Sequence, residues 1–174
     1  SSDPYSSGIC ESFKAEAGNQ GITVVASEAF TADSKTDFKV QLQKAKDSGA
    51  ELLFLPIYYT EASLILQQAA DMGYSPKIFG YDGLDGILGV ENFDVKLAEG
   101  VMLLTPFSAD AKDDKTVNFV KKYNEKFGET PNQFAADAYD CVYAIYEACK
   151  KGDVTPDMTA EEICDIMIAQ FTTM

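Results

Sequence analysis

Glu51-Leu-Leu-Phe-Leu-Pro-Ile-Tyr-Tyr59, Lys77-Ile-Phe-Gly-Tyr-Asp82 and Gly100-Val-Met-Leu-Leu-Thr-Pro-Phe107 repeat one pattern, a short apolar run ending in polar or aromatic residues. Strands buried on both faces read as continuous apolar runs, so the pattern predicts a parallel sheet covered by helices. In such sheets ligands lie beyond the carboxyl ends of the strands. Those ends carry Tyr58, Tyr59, Tyr81 and Asp82. Aromatic walls with one acid suit a small apolar molecule bearing a cationic group.

The segments between the runs read as helices. Pro4 opens one over 4–18, with Ile9, Cys10, Phe13 and Ala17 on one stripe and Asp3 or Ser2 as its cap. A β-branched stretch at 22–29 predicts a strand. Thr36 or Ser34 is expected to cap a helix over 36–48, and Gly49 ends it. A further helix covers 60–72, stopped by Gly73. Strands are expected over 51–57, 77–81 and 101–105, with helical turns near 87 and at 95–98. The order is an αβα three-layer arrangement joined by crossovers. The first helix has no strand before it, although a doubly wound sheet begins with a strand near its middle.

Beyond residue 110 the pattern changes to three helices, 114–127, 132–151 and 159–171, with no strand between them. Phe134, Ala138, Tyr139, Val142, Ile145 and Tyr146 make a face on the second that is too wide to leave in water. The organisation is therefore an α/β lobe over 1–109 and a helical segment over 110–174. The helical segment should pack on something outside this chain or on a second copy.

The 174 residues, 46% of them apolar, are enough for a real core. Fourteen basic against 28 acidic side chains give a net charge of -14, which disfavours nucleic acid and anionic membranes. No apolar run approaches the roughly 20 residues needed to span a bilayer. The chain opens Ser1-Ser-Asp-Pro rather than with Met, which suggests a processed or partial polypeptide.

There is no histidine, so histidine-assisted nucleophilic catalysis is excluded. No phosphate-cradling glycine motif is present either; Gly83-Leu-Asp-Gly-Ile-Leu-Gly89 has neither spacing. Cys10, Cys141, Cys149 and Cys164 lack metal-ligand spacing, and Cys141 and Cys149 sit about 12 Å apart along a helix axis. Small core hydrophobes is their expected role. No metal, cofactor or catalytic residue is assigned.

Asp82 is the most informative residue. It follows a buried strand between Gly80 and Gly83, which let backbone and ligand approach closely. A carboxylate there accepts charge-assisted hydrogen bonds from an ammonium, or equally caps the next helix. Acid pairs such as Asp82 with Asp85 or Glu61 read first as solvated loop acids. Tyr58 and Tyr59 cannot both face inward along an extended run. Tyr58 is the first choice for a pocket and Tyr59 the second, with packing on a neighbouring loop as the alternative for both. Tyr5 stands at a helix head, where amides attract polar ligand groups.

In chain order, Asp3-Pro-Tyr-Ser-Ser-Gly8, Thr36-Asp-Phe38, Leu55-Pro-Ile-Tyr-Tyr-Thr-Glu-Ala62, Phe79-Gly-Tyr-Asp-Gly-Leu84, Glu99-Gly-Val101, Phe127-Gly-Glu-Thr-Pro131 and Ala135-Ala-Asp-Ala-Tyr-Asp-Cys-Val-Tyr143 resemble the leucine/isoleucine/valine-binding proteins of ABC transporters. That family has the type I periplasmic binding fold, two flavodoxin-like α/β lobes that close on a ligand. The resemblance places 1–107 in the second lobe without its opening strand, 106–112 at a hinge, and 113–174 among helices returning to the first lobe. It implies that Tyr5 and Tyr58 line the pocket and that Asp82, commonly glutamate, pairs with the ligand's α-ammonium.

The implied function is non-enzymatic capture of an aliphatic amino acid, outside the cytoplasm, for an ABC permease. A sensing ectodomain of the same fold and a flavodoxin-like enzyme are the rivals. The isolated chain is expected to be dimeric or associated with a missing segment.

Overall fold

A computed structural model describes residues 3–173; Ser2, one of the two expected caps, lies outside them. The chain forms two compact units, residues 1–106 and 107–174.

The first unit is built on β1 (Leu52–Leu55), β2 (Lys77–Gly80) and β3 (Met102–Leu103), parallel and in the order β1-β2-β3. Successive strand residues point to opposite faces. Leu53, Leu55, Ile78 and Leu103 therefore join one core, with Leu42 of helix α2 (Lys39–Asp47) and Ala62, Ile65 and Leu66 of α3 (Tyr59–Asp71). Phe54 and its register partner Phe79 take the other face, where Phe13 of α1 (Pro4–Asn19) stacks on Phe54 with ring centroids 4.2 Å apart. The three layers follow directly from this alternation.

Helices α2 and α3 stop where the sequence says they must. Gly49 and Gly73 adopt φ of 72° and 60°, a left-handed conformation that costs glycine little. The start of α1 is equally local, because Asp3 Oδ1 accepts from the Ser6 amide at 2.9 Å.

The start of α2 corrects the sequence reading. Neither Thr36 nor Ser34 caps it. The N-cap is Phe38, and the amide of that residue donates to Gln68 Oε1 of α3 at 2.7 Å, while Gln68 Nε2 donates to the Thr36 carbonyl at 2.9 Å. One amide side chain thus satisfies the head of a neighbouring helix 30 residues away.

The expected strand at 22–29 is a second correction. Residues 22–30 form neither helix nor ladder. A strand is defined by a partner, and β-branched composition does not supply one. Among the described residues β1 pairs on one side only, with β2. β3 is also shorter than expected, two residues in place of five.

The second unit contains α4 (Asp114–Phe127), α5 (Gln133–Lys151) and α6 (Ala160–Phe171), each begun by a side-chain cap from Asp113, Asn132 or Thr159. Gly152 lets α6 approach, since a Cβ there would lie 2.1 Å from Ile166 Cγ2. Val142, Tyr143, Ile145 and Tyr146 of α5 remain exposed within this unit. Cys141 and Cys164 are exposed and Cys10 and Cys149 half-buried, so the expected core role of all four does not hold.

The Gln68 contact yields a prediction. Gln68→Ala should lower stability by about 1–2 kcal/mol, because it orphans the amide of Phe38. Gln67→Ala, which loses only an exposed bond to Asp71, should cost about 0.5 kcal/mol or less. Urea denaturation of both variants measures the difference; equal midpoints would contradict the long-range cap.

Candidate functional site

Three segments meet at the carboxyl ends of β1 and β2. Helix α1 brings Tyr5 in its first turn, the β1–α3 junction brings Tyr58, and a short turn of helix over Asp82–Leu84 follows β2. The Tyr5 hydroxyl donates to Asp82 Oδ1 and accepts from the Gly83 amide at 2.9 Å. The Tyr5 and Tyr58 rings stack with centroids 5.0 Å apart and planes 25° from parallel. Residues up to 78 positions apart in sequence are thereby fixed against one another.

Gly83 is essential to this contact. A Cβ at that position would stand 2.6 Å from the Ile57 carbonyl oxygen and 2.8 Å from the Tyr5 hydroxyl. Gly80 has a different task from the one expected of it. A Cβ there would meet Leu84 Cδ2 at 2.2 Å, so the missing side chain admits a core leucine.

Burial, and after it the hydrogen bond to Asp82, raises the Tyr5 phenol well above its ordinary 10.0. The phenol therefore stays neutral and keeps its proton on the side facing the carboxylate. The Asp82 carboxylate thus lies against the Tyr5 hydroxyl, at the edge of one of the two stacked rings. Such a group can accept hydrogen bonds from an ammonium, while the rings receive an apolar side chain.

Of the four residues the sequence nominates, the fold brings Tyr5, Tyr58 and Asp82 together. Tyr59 goes elsewhere. It is the first residue of α3, half-buried and packed on the core cluster. Helix α3 starts one residue earlier than its periodicity suggests, and this sends the neighbouring side chains to different places. The Gly83 amide is the participant that side-chain reasoning misses; the only signal for it was a glycine directly after the acid. Among the described residues, no group of three or more acidic or cysteine side chains could hold a metal ion.

Because its raised pKa favours the neutral phenol in the folded state, Tyr5 contributes stability that is complete below about pH 10 and fades above it. In a spectrophotometric titration of the nine tyrosines, the step at highest pH should vanish in Tyr5→Phe. An unchanged final step would contradict the buried Tyr5–Asp82 contact.

Residues 1–168 match the family model described as periplasmic binding protein. Leu/Ile/Val-binding protein homolog 1 of Brucella abortus is 25% identical over 150 residues, covering 84% of this chain and 38% of that protein. Homolog 7 of the same organism is 29% identical over 147 residues, 81% of this chain and 36% of its own length. The chain thus spans less than two fifths of these relatives.

Among solved structures, the branched-chain amino acid transporter substrate-binding protein LivJ of Streptococcus pneumoniae, in complex with isoleucine, is 30% identical. It has a TM-score of 0.72 over 95% of this chain and 45% of that one. The leucine-binding protein LivK of Thermotoga maritima, 24% identical, has the same fold, with a TM-score of 0.73 over 95% of this chain and 46% of that one. With 168 of 174 residues inside the family match, the chain belongs to the periplasmic binding protein family and has its type I fold.

Proposed function

We propose that this chain forms part of the extracytoplasmic solute-binding component of an ABC importer, and that it captures an aliphatic, branched-chain amino acid. The supporting observation is the cluster at the sheet's carboxyl end, where Tyr5 holds Asp82 beside the stacked ring of Tyr58. In this reading Asp82 receives the ligand's α-ammonium and the two rings wall its side chain. The names of the Brucella relatives and the isoleucine complex of the Streptococcus protein support the substrate class.

Residues 1–106 would be the greater part of one lobe, and the helices of 107–174 would pack in the other. Closure of two lobes on the ligand would present a surface to the permease. No helix among the described residues is long and apolar enough to cross a membrane. The reaction is binding alone, and no group in the cluster is asked to act as nucleophile or base.

Aspartate is shorter than glutamate by one methylene, so the ammonium would sit closer to the strand end or be reached through a bridging water. The α-carboxylate would be bound by groups this chain does not supply. Hence the chain by itself should bind leucine weakly or not at all, and a protein comprising both lobes should bind it tightly.

Calorimetric titration of the two-lobe protein with leucine tests the reading. Asp82→Asn should weaken binding about 10- to 100-fold, the cost of roughly 1.5–3 kcal/mol for a lost charged hydrogen bond. N-acetyl-leucine, which has no ammonium, should not bind. Full affinity in Asp82→Asn, or micromolar binding by residues 1–174 alone, would overturn the assignment.

A further inference from the structure

The turn that follows β2 is anchored from within. Leu84 is fully buried and fills the space that Gly80 leaves open. The Leu84 amide donates to the Tyr81 carbonyl at 3.1 Å, and the Asp85 amide to the Asp82 carbonyl at 3.0 Å. The Ile57 carbonyl packs against Gly83, where a Cβ would stand 2.6 Å away. The peptide joining Asp82 to Gly83 is therefore fixed before any side chain is considered.

The phenol that faces this peptide is fixed as well. Tyr5 lies in the first turn of α1, which Pro4 opens and Asp3 caps. Its ring rests on that of Tyr58. One hydroxyl meets two groups that come from consecutive residues, the Asp82 carboxylate and the Gly83 amide. These two contacts close a small ring that runs from Tyr5 Oη through Asp82 Oδ1, Cγ, Cβ, Cα and C to Gly83 N and back. Because the backbone part of the ring and the phenol are both held from outside, closing it constrains the two side-chain torsions of Asp82 together.

A ring of this kind accepts one side-chain length. Aspartate closes it with two rotatable bonds. Glutamate has a third, and it carries its carboxylate one carbon farther from a phenol that Tyr58 and Gly83 keep in place. A longer acid must fold back to reach the hydroxyl, or abandon it and point elsewhere. In either case the carboxylate is less well ordered before a ligand arrives, and that ordering is then charged against binding.

We infer that Tyr5 is a positioning residue whose hydroxyl, clamped by the Gly83 amide, matches an aspartate at position 82, so that the length of this acid as well as its charge sets the affinity for an ammonium. The inference rests on the reading of Asp82 as the ammonium acceptor and deepens it. Tyr5 acts here through Asp82, a task separate from any contact of its ring with the ligand side chain.

Calorimetric titration of the two-lobe protein with leucine tests it. Asp82→Glu keeps the charge and should weaken binding about three- to tenfold, the cost of ordering a longer side chain. Tyr5→Phe keeps the stacked ring, loses the hydroxyl, and should weaken binding by a similar factor. The double variant should bind no worse than Tyr5→Phe, because no ring remains for the longer acid to break. A tyrosine with a merely structural task would lower affinity by the same factor whichever acid stands at 82, and the two losses would multiply. Multiplying losses, or wild-type affinity in Asp82→Glu, would overturn the inference; Asp82→Glu decides alone if Tyr5→Phe does not fold. The ammonium reading survives that outcome as long as Asp82→Asn binds weakly, whereas full affinity in Asp82→Asn would overturn both.

Discussion

The hydroxyl of Tyr5 both donates and accepts, and the geometry of the candidate site follows from that. It donates to Asp82 and accepts from Gly83, tying the head of α1 to the end of β2. Its ring then supports that of Tyr58 at the end of β1. The three contacts are mutually dependent. Displacing the phenol removes one partner of the carboxylate and the face on which Tyr58 rests. Burial and the hydrogen bond to Asp82 keep the phenol neutral, with its proton toward the carboxylate.

The sheet places this cluster. Parallel strands deliver their carboxyl ends to one edge, and the loops that follow must turn there into helices. The alternation of Phe54 and Phe79 against Leu53, Leu55 and Ile78 commits α1 to one face and α2 and α3 to the other. Because α1 is held by the Phe13–Phe54 stack, its first turn falls above the strand ends. The site is therefore a consequence of core packing several residues away, and Gly83 is the tolerance that lets the backbone close around it.

Much of this was legible in the amino-acid order. The three apolar runs gave β1, β2 and β3, and the glycines at 49 and 73 gave the ends of α2 and α3. These features are local, decided by hydrophobic period and by φ. What the order concealed depends on partners distant in sequence. Residues 22–29 have the composition of a strand but no neighbour to ladder with. Gln68 caps a helix that begins 30 residues before it. Tyr59 departs from Tyr58 because α3 starts one residue early. The resemblance to the binding-protein family placed Tyr5 and Asp82 at one pocket, but their hydrogen bond was not legible, since no periodicity links positions 77 residues apart.

The proposed role for Asp82 can be checked directly in a crystal structure of the two-lobe protein with leucine. The ligand's ammonium nitrogen should lie within about 3 Å of an Asp82 carboxylate oxygen, with the Tyr58 ring against its side chain. An ammonium held by other groups, with Asp82 engaged only by Tyr5, would contradict the central claim.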